Sequence, residues 1–364
     1  MTHSDMAAVS ATPASNINRP PAQLGEWLAL RTEAPLEPAQ PILDAHIHLW
    51  NGNRGRFIAN EFRSGAQGHN VLAALFVQCY THYRPCGPDL EQPLGETEFV
   101  VKLAEAENLV EQAPVMAPSI VGFANLAYGA RIRPMLEQHI ELAKGRFRGV
   151  RHGLQYSASG VGRNGPWQPA NGQMHTADFR AGFAELEPLG LSFDAWLYHP
   201  QIPDLVDLAK AFPGTSIVLD HVGMPLGVGP YRGKRDEVFA EWKVSMARLA
   251  ELPNVVVKVG GLGMLYHGFD FELADVPPSS EMLARAWRPY IESVIETFGT
   301  ERCMLESNFP VDAQTCSYGV LWNAFKRITS GCSLDEKHAL YVGTTARTYR
   351  LPQFDASLPA FGKA

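Results

Sequence analysis

The chain has 364 residues, 46% of them hydrophobic and 19% charged, enough to bury a large core in one α/β domain or two smaller ones. A net charge of −7 with no basic block argues against nucleic acid or an anionic membrane surface as a partner and leaves a small-molecule substrate. No apolar stretch approaches the ~20 residues needed to span a bilayer. The five cysteines (Cys79, Cys86, Cys303, Cys316, Cys332) form neither a disulfide framework nor a CxxC pair, which suits a reducing cytoplasm.

Residues 1–24 lack the basic start and apolar core of a signal peptide and read as a disordered tail, followed by a lead-in over 25–40. Short apolar runs rich in β-branched residues then recur: "PILDAHIHLW", "AALFVQCY", "SIVGFANL", "FRGVRHGL", "LSFDAWLY", "TSIVLDHVG", "NVVVKVGG" and "RCMLESN". Amphipathic stretches between them suit helices over Thr97–Gln112, Arg133–Lys144, Thr176–Leu189, Pro203–Phe212, Asp236–Leu252 and Ser280–Phe298. Gly190 and Gly299 stand where C-caps belong. Near-continuous apolar strands alternating with helices indicate a parallel sheet covered by helices. Eight such units over residues 41–352 predict a (β/α)₈ TIM barrel, distorted by long active-site loops. The alternative, a doubly wound open sheet, calls for a Gly-rich phosphate turn that "DAHIHLWNGN" lacks. "SLDEKHALYVG" opens with Ser333 and Glu336 spaced as a capping box, and residues 353–364 read as a tail.

The strands carry their polar residues late: His46 and His48, Arg151 and His152, His199, Asp220 and His221, Lys258, Glu306 and Asn308. Active sites of this fold lie at those strand ends. His46 and His48 are two apart, so both imidazoles share a face with Ile42 and Asp44. Such a pair chelates a divalent metal, clamps a substrate oxygen, or packs as hydrogen-bonded core histidines. Two long connections, residues 155–175 and 260–280, read as walls of a site or as contacts in a homo-oligomer. They carry Tyr156, Trp167, Tyr266 and Phe269, which permit an aromatic or sugar-like ligand.

"ILDAHIHLW" on a first strand, "VLDHVGMP" on a sixth and "SNFPVD" on an eighth resemble the amidohydrolase superfamily. They are similar in particular to its TIM-barrel lactonases, which include 2-pyrone-4,6-dicarboxylate lactonase and sugar-acid lactonases. The resemblance runs from about Pro41 to Leu351. It implies that His46, His48 and His221 bind a metal (zinc or manganese) or, equally, polarise a substrate carbonyl without one. It implies further that Arg151 contacts a substrate carboxylate, with His152, His199 and Tyr156 as further substrate contacts. The family's eighth strand typically ends in an aspartate that activates the attacking water, and here Asn308 stands in its place. A carboxamide does not accept that proton. Glu306 is then the first candidate base, His221 the second and Asp312 the third. The function expected is hydrolysis of a lactone or cyclic ester bearing a carboxylate. The alternatives are a metal-dependent decarboxylase of an aromatic acid and, if Asn308 marks lost activity, a non-catalytic ligand-binding barrel.

Overall fold

The computed structural model describes residues 19–52, 55–162 and 168–355. Eight strands pair in chain order: β1 (Pro41–Ile47), β2 (Asn70–Val77), β3 (Val115–Gly122), β4 (Phe147–Arg151), β5 (Ser192–Ala195), β6 (Ile217–Leu219), β7 (Val255–Val259) and β8 (Cys303–Leu305). Every ladder is parallel, so the eight apolar runs each supply one stave of a (β/α)₈ barrel. The seam between β8 and β1 lies just beyond β8. There Asn308 N donates to His46 O (2.9 Å) and His48 N donates to Phe309 O (2.8 Å).

The helices follow their apolar spacing. The longest, Ser280–Phe298, buries Leu283, Trp287, Ile291, Val294 and Phe298 along one face. Burying each such side chain contributes about 1.5–3 kcal/mol. Ser279 caps its first turn by accepting from Met282 N, and Gly299, at φ 78°, ends it. The capping box of Ser333 and Glu336 is formed in both directions. Regular helix stops at Phe183, and the turns that continue it end at Gly190, at φ 63°, where Leu191 N donates to Leu186 O (2.9 Å) and Gly190 N to Glu187 O (2.9 Å) as a C-cap requires.

A helix at Pro21–Ala29, α1, overlaps the stretch read as a tail. Its Pro21 sits in the first turn, where the missing N–H costs nothing, and Trp27 is buried. Residues 1–18 and 356–364, the remainder of the expected tails, lie outside the described residues, as does Trp167. Among the described residues no helix is long and apolar enough to cross a membrane. Cys79 and Cys303 are buried free thiols.

Candidate active site

The barrel floor is a closed set of buried charges. Lys258, on β7, places Nζ 2.6 Å from Asp194 Oδ2 and 3.2 Å from Asp220 Oδ1, and all three side chains are fully buried. Tyr349 donates to the same Asp194 oxygen at 2.6 Å. Burial opposes charge on Asp220, but Lys258, His221 and Arg151 outweigh it and hold its carboxyl below the usual range. Burial likewise opposes charge on Lys258, and Asp194, Asp220 and Glu306 reverse that and raise it. Lys258 therefore stays an ammonium. Buried charges persist only when paired in this way.

His46 stands on this floor. Burial and then Lys258 push its pKa well below the ordinary value, so the ring is neutral. Arg151 Nη1 lies 3.3 Å from Nε2, and a guanidinium only donates, so Nε2 accepts and Nδ1 keeps the proton. Nδ1 then points its proton at Glu306 Oε2, 2.9 Å away, and Lys258 Nζ, a second donor at 3.2 Å, gives it no hydrogen bond. Arg151 is held in turn by Gln78 O and by Asp220 Oδ2 at 3.5 Å. Asp44 does not share this face. The β1–β2 register shifts between Asp44 and Ile47, and the Asp44 carboxylate accepts instead from Ser307 N (2.8 Å) and the Tyr318 hydroxyl (3.0 Å).

Glu306 joins His46 to His221. Its Oε1 accepts from His221 Nδ1 at 2.7 Å and from His221 N at 3.2 Å. That proton on Nδ1 leaves the lone pair on Nε2. His221, Val222, Gly223 and Met224 all have positive φ, a left-handed turn that lifts the His221 ring over the floor. The turn needs room: a side chain at Gly261 would meet the His221 ring at 2.5 Å, and one at Gly260 would meet Glu306 O at 2.3 Å. The "VGG" after β7 is therefore a cradle for the His221–Glu306 pair.

His46, His221 and Glu306 each offer one ligand atom, and these atoms lie within 4.8 Å of one another. Two imidazoles and a carboxylate suit a divalent ion such as Zn²⁺. Glu306 Oε2 is buried beside His46 Nδ1 at 2.9 Å, and such an ion would take over that contact. His48 is not in this group. Its Nδ1 donates to Val77 O at 2.8 Å, and its ring packs edge-on to His46 at 4.8 Å.

Above the floor opens a cavity of about 1260 Å³. His48, Arg151, His221 and Asn308 line its deep end, whereas His46 and Glu306 lie behind them. Asn308, also in the left-handed region at φ 53°, donates through Nδ2 to Asp312 Oδ1 at 2.7 Å. This bond fixes the amide flip and directs Oδ1 away from Asp312. Asp312 itself is buried, which raises its carboxyl well above the usual range, and it also accepts from Gly263 N at 2.9 Å.

Other residues singled out in the sequence lie elsewhere. His152 accepts from Leu126 N and meets Gln173 Nε2 at 3.0 Å, packed between Phe123 and Phe179. His199 accepts from Leu226 N beneath Tyr231. Tyr156 and Phe269 do not line the cavity either, whereas Tyr266 does. The sequence reading passed over Tyr80, Trp196 and Met264 in the cavity wall and Asp194 in the floor. Tyr80 and Trp196 follow β2 and β5, so the strand-end rule that picked out the histidines reaches them too.

A family profile described as amidohydrolase matches residues 43–351. An uncharacterized protein of Sinorhizobium fredii, y4mH, is 30% identical over 85% of this chain and 98% of its own length. The L-fucono-1,5-lactonase of Burkholderia multivorans is 26% identical over 85% of this chain and 96% of its own. The crystal structure of an amidohydrolase from Burkholderia multivorans with bound zinc superposes with a TM-score of 0.64 at 24% identity, covering 85% of this chain and 99% of that one. The profile spans most of the chain and contains every residue of the floor, so the protein belongs to the amidohydrolase family and is a hydrolase.

Proposed function

We propose that the protein opens a lactone or similar cyclic ester with water, using His221 as the base. One observation carries this: His221 Nδ1 is tied to Glu306 Oε1 at 2.7 Å while the ring borders the cavity. A carboxylate that orients an imidazole and supports its cation makes the distal nitrogen a proton acceptor. Glu306 lies out of reach behind the histidines and acts through His221. Similarity to the L-fucono-1,5-lactonase supports the reaction class.

The residues divide the work. Asn308 Oδ1 accepts one hydrogen of the water and His221 Nε2 takes the other as the oxygen attacks the carbonyl carbon. Arg151, a fixed positive charge at the cavity floor, stabilises the resulting oxyanion. When the ring C–O bond breaks, the His221 imidazolium returns its proton to the leaving alkoxide, and a hydroxy acid is released. A divalent ion held by His46, His221 and Glu306 supplies Lewis-acid polarisation of the carbonyl when bound. The two uses are exclusive at His221, whose lone pair serves either the ion or the water.

The test is proton release from a panel of sugar-acid and aliphatic lactones, with chelator-treated and untreated protein. Ring opening that survives chelation supports the base assignment. Activity lost to chelator and restored by Zn²⁺ would give the His221 lone pair to the ion. Carbon dioxide release from hydroxybenzoates without ring opening would make the protein a lyase. Lactone binding without turnover would make it a ligand-binding barrel.

A further inference from the structure

The cavity is larger than the chemistry at its floor requires. Small-molecule sites commonly enclose ~300–1,000 Å³, and this one encloses about 1260 Å³. Its deep end is polar, and beyond it Trp50, Phe57, Phe62, Leu24 and Leu28 make an apolar stretch of wall. Further polar groups, among them Arg19, Arg31, Asn60 and Gln314, border that stretch, and Arg56 pairs with Glu61 at 3.2 Å. Leu24 and Leu28 are one helical turn apart on α1 and share its cavity face with Gly25.

Helix α1 is fastened in place by the long connection after β7. Trp27 Nε1 donates to Ala274 O at 2.9 Å, and the Arg19 guanidinium lies 4.1 Å from the Trp27 ring centre and donates to Glu272 O and Ala274 O. Arg31 Nε donates to Pro277 O at 3.1 Å, and Glu33 accepts from Ser280 N at 2.8 Å. These bonds make α1 a standing wall whose half-buried leucines are presented to the cavity.

We infer that the substrate carries an apolar arm, and that α1 together with Trp50 and Phe57 receives it while the lactone ring meets His221 and Arg151. The inference rests on the lactone-hydrolase reading and extends it: alkyl- or aryl-substituted lactones are preferred over bare sugar lactones. Each methylene buried against such a wall is worth ~0.8 kcal/mol, or about fourfold in binding.

The experiment measures kcat/KM for a series of δ-lactones with lengthening n-alkyl chains, alongside a phenyl-substituted member and an unsubstituted one. Expected is a rise of about two- to fourfold per methylene until the outer cavity is full, expressed in KM. A flat series, with the unsubstituted lactone opened equally well, overturns the inference and leaves the hydrolase reading standing. If no lactone is opened, that reading fails. The arm is then read from quenching of Trp50 and Trp196 fluorescence by the same series, where tighter binding with chain length supports the wall and its absence overturns it. A Cβ at Gly25 meets nothing within 4 Å, and Gly25 borders the cavity, so Gly25→Trp introduces its side chain at the outer cavity. It should cut the ratio of long-chain to unsubstituted kcat/KM at least tenfold. Because that is a ratio within one variant, a general loss of folded protein leaves it unchanged, and an unaltered ratio would overturn the inference.

Discussion

The floor and the outer wall of the cavity are built on opposite principles. On the floor, Lys258, Asp194, Asp220, His46, Arg151 and Glu306 each meet at least two buried polar groups, all out of water. On the wall, α1 is held largely by backbone carbonyls of one loop that accept from Trp27, Arg19 and Arg31. The floor tolerates almost no change of residue type, because every buried charge answers another. The wall depends on shape, so its residues can vary in size and retune what fits.

Substitutions can break that contrast. The largest effect is expected at His221→Ala, which should lower kcat by roughly 10³-fold with little change in KM, by steady-state kinetics on an opened lactone. Lys258→Met leaves Asp194 and Asp220 buried without their cation and should cost about 3–5 kcal/mol of stability, read by denaturant unfolding. Asn308→Asp replaces an amide donor, 2.7 Å from Asp312 Oδ1, by a second carboxyl. It should cost ~1–3 kcal/mol at pH 8 and less at pH 5, where the two groups share a proton. A rise in kcat in that variant would move the proton acceptor to position 308 and break the assignment to His221.

The last expected effect is a slope with pH. Burial holds His139, His152 and His267 neutral down to about 3 and His199 to about 4. The unfolded chain takes up those protons near 6.5, so this stability is present above 6.5 and is lost as pH falls. Burial raises Asp44 to about 6 and Glu96 to about 7, and their contribution runs the other way, lost as pH rises through those values. Burial also holds His46 and His69 low and Asp312 high, so the histidines outnumber the carboxyls. The melting temperature should therefore fall between pH 7 and pH 5, by an amount on the order of a few kcal/mol in stability. A melting temperature that rises on acidification would show that the carboxyls dominate.

How much could be read in advance differs between the two regions for the same reason. The floor residues end apolar strands, and a histidine or glutamate there stands out against Val, Ile and Leu. His46, His221, Glu306 and Arg151 were legible on that ground, and so was the eight-stave barrel. Asp194 sits in "SFDAW", where one acid inside an apolar run gives no sign that Lys258 answers it across the barrel. The shared face of Asp44 and His46 failed because a bulge in β1 is a property of pairing with β2, not of local spacing. Helix α1 was hidden differently. "PPAQLGEWLA" is short and Pro-led, and what stabilises it is a loop nearly 250 residues away. His152 and His199 end strands as the catalytic candidates do, and only the packing around them separates their surroundings from the cavity.

The seam between β8 and β1 carries one more consequence. The backbone bonds that close the cylinder, Asn308 N to His46 O and His48 N to Phe309 O, are made by residues of the site itself. The last stave thus docks onto the first only when His46, His48 and Asn308 are already in register. Closing the ring and assembling the reactive centre are one event, and the amide protons of His48 and Asn308 report on both. Their hydrogen exchange should slow when a ligand fills the cavity, because whatever steadies the site also tightens the hoop.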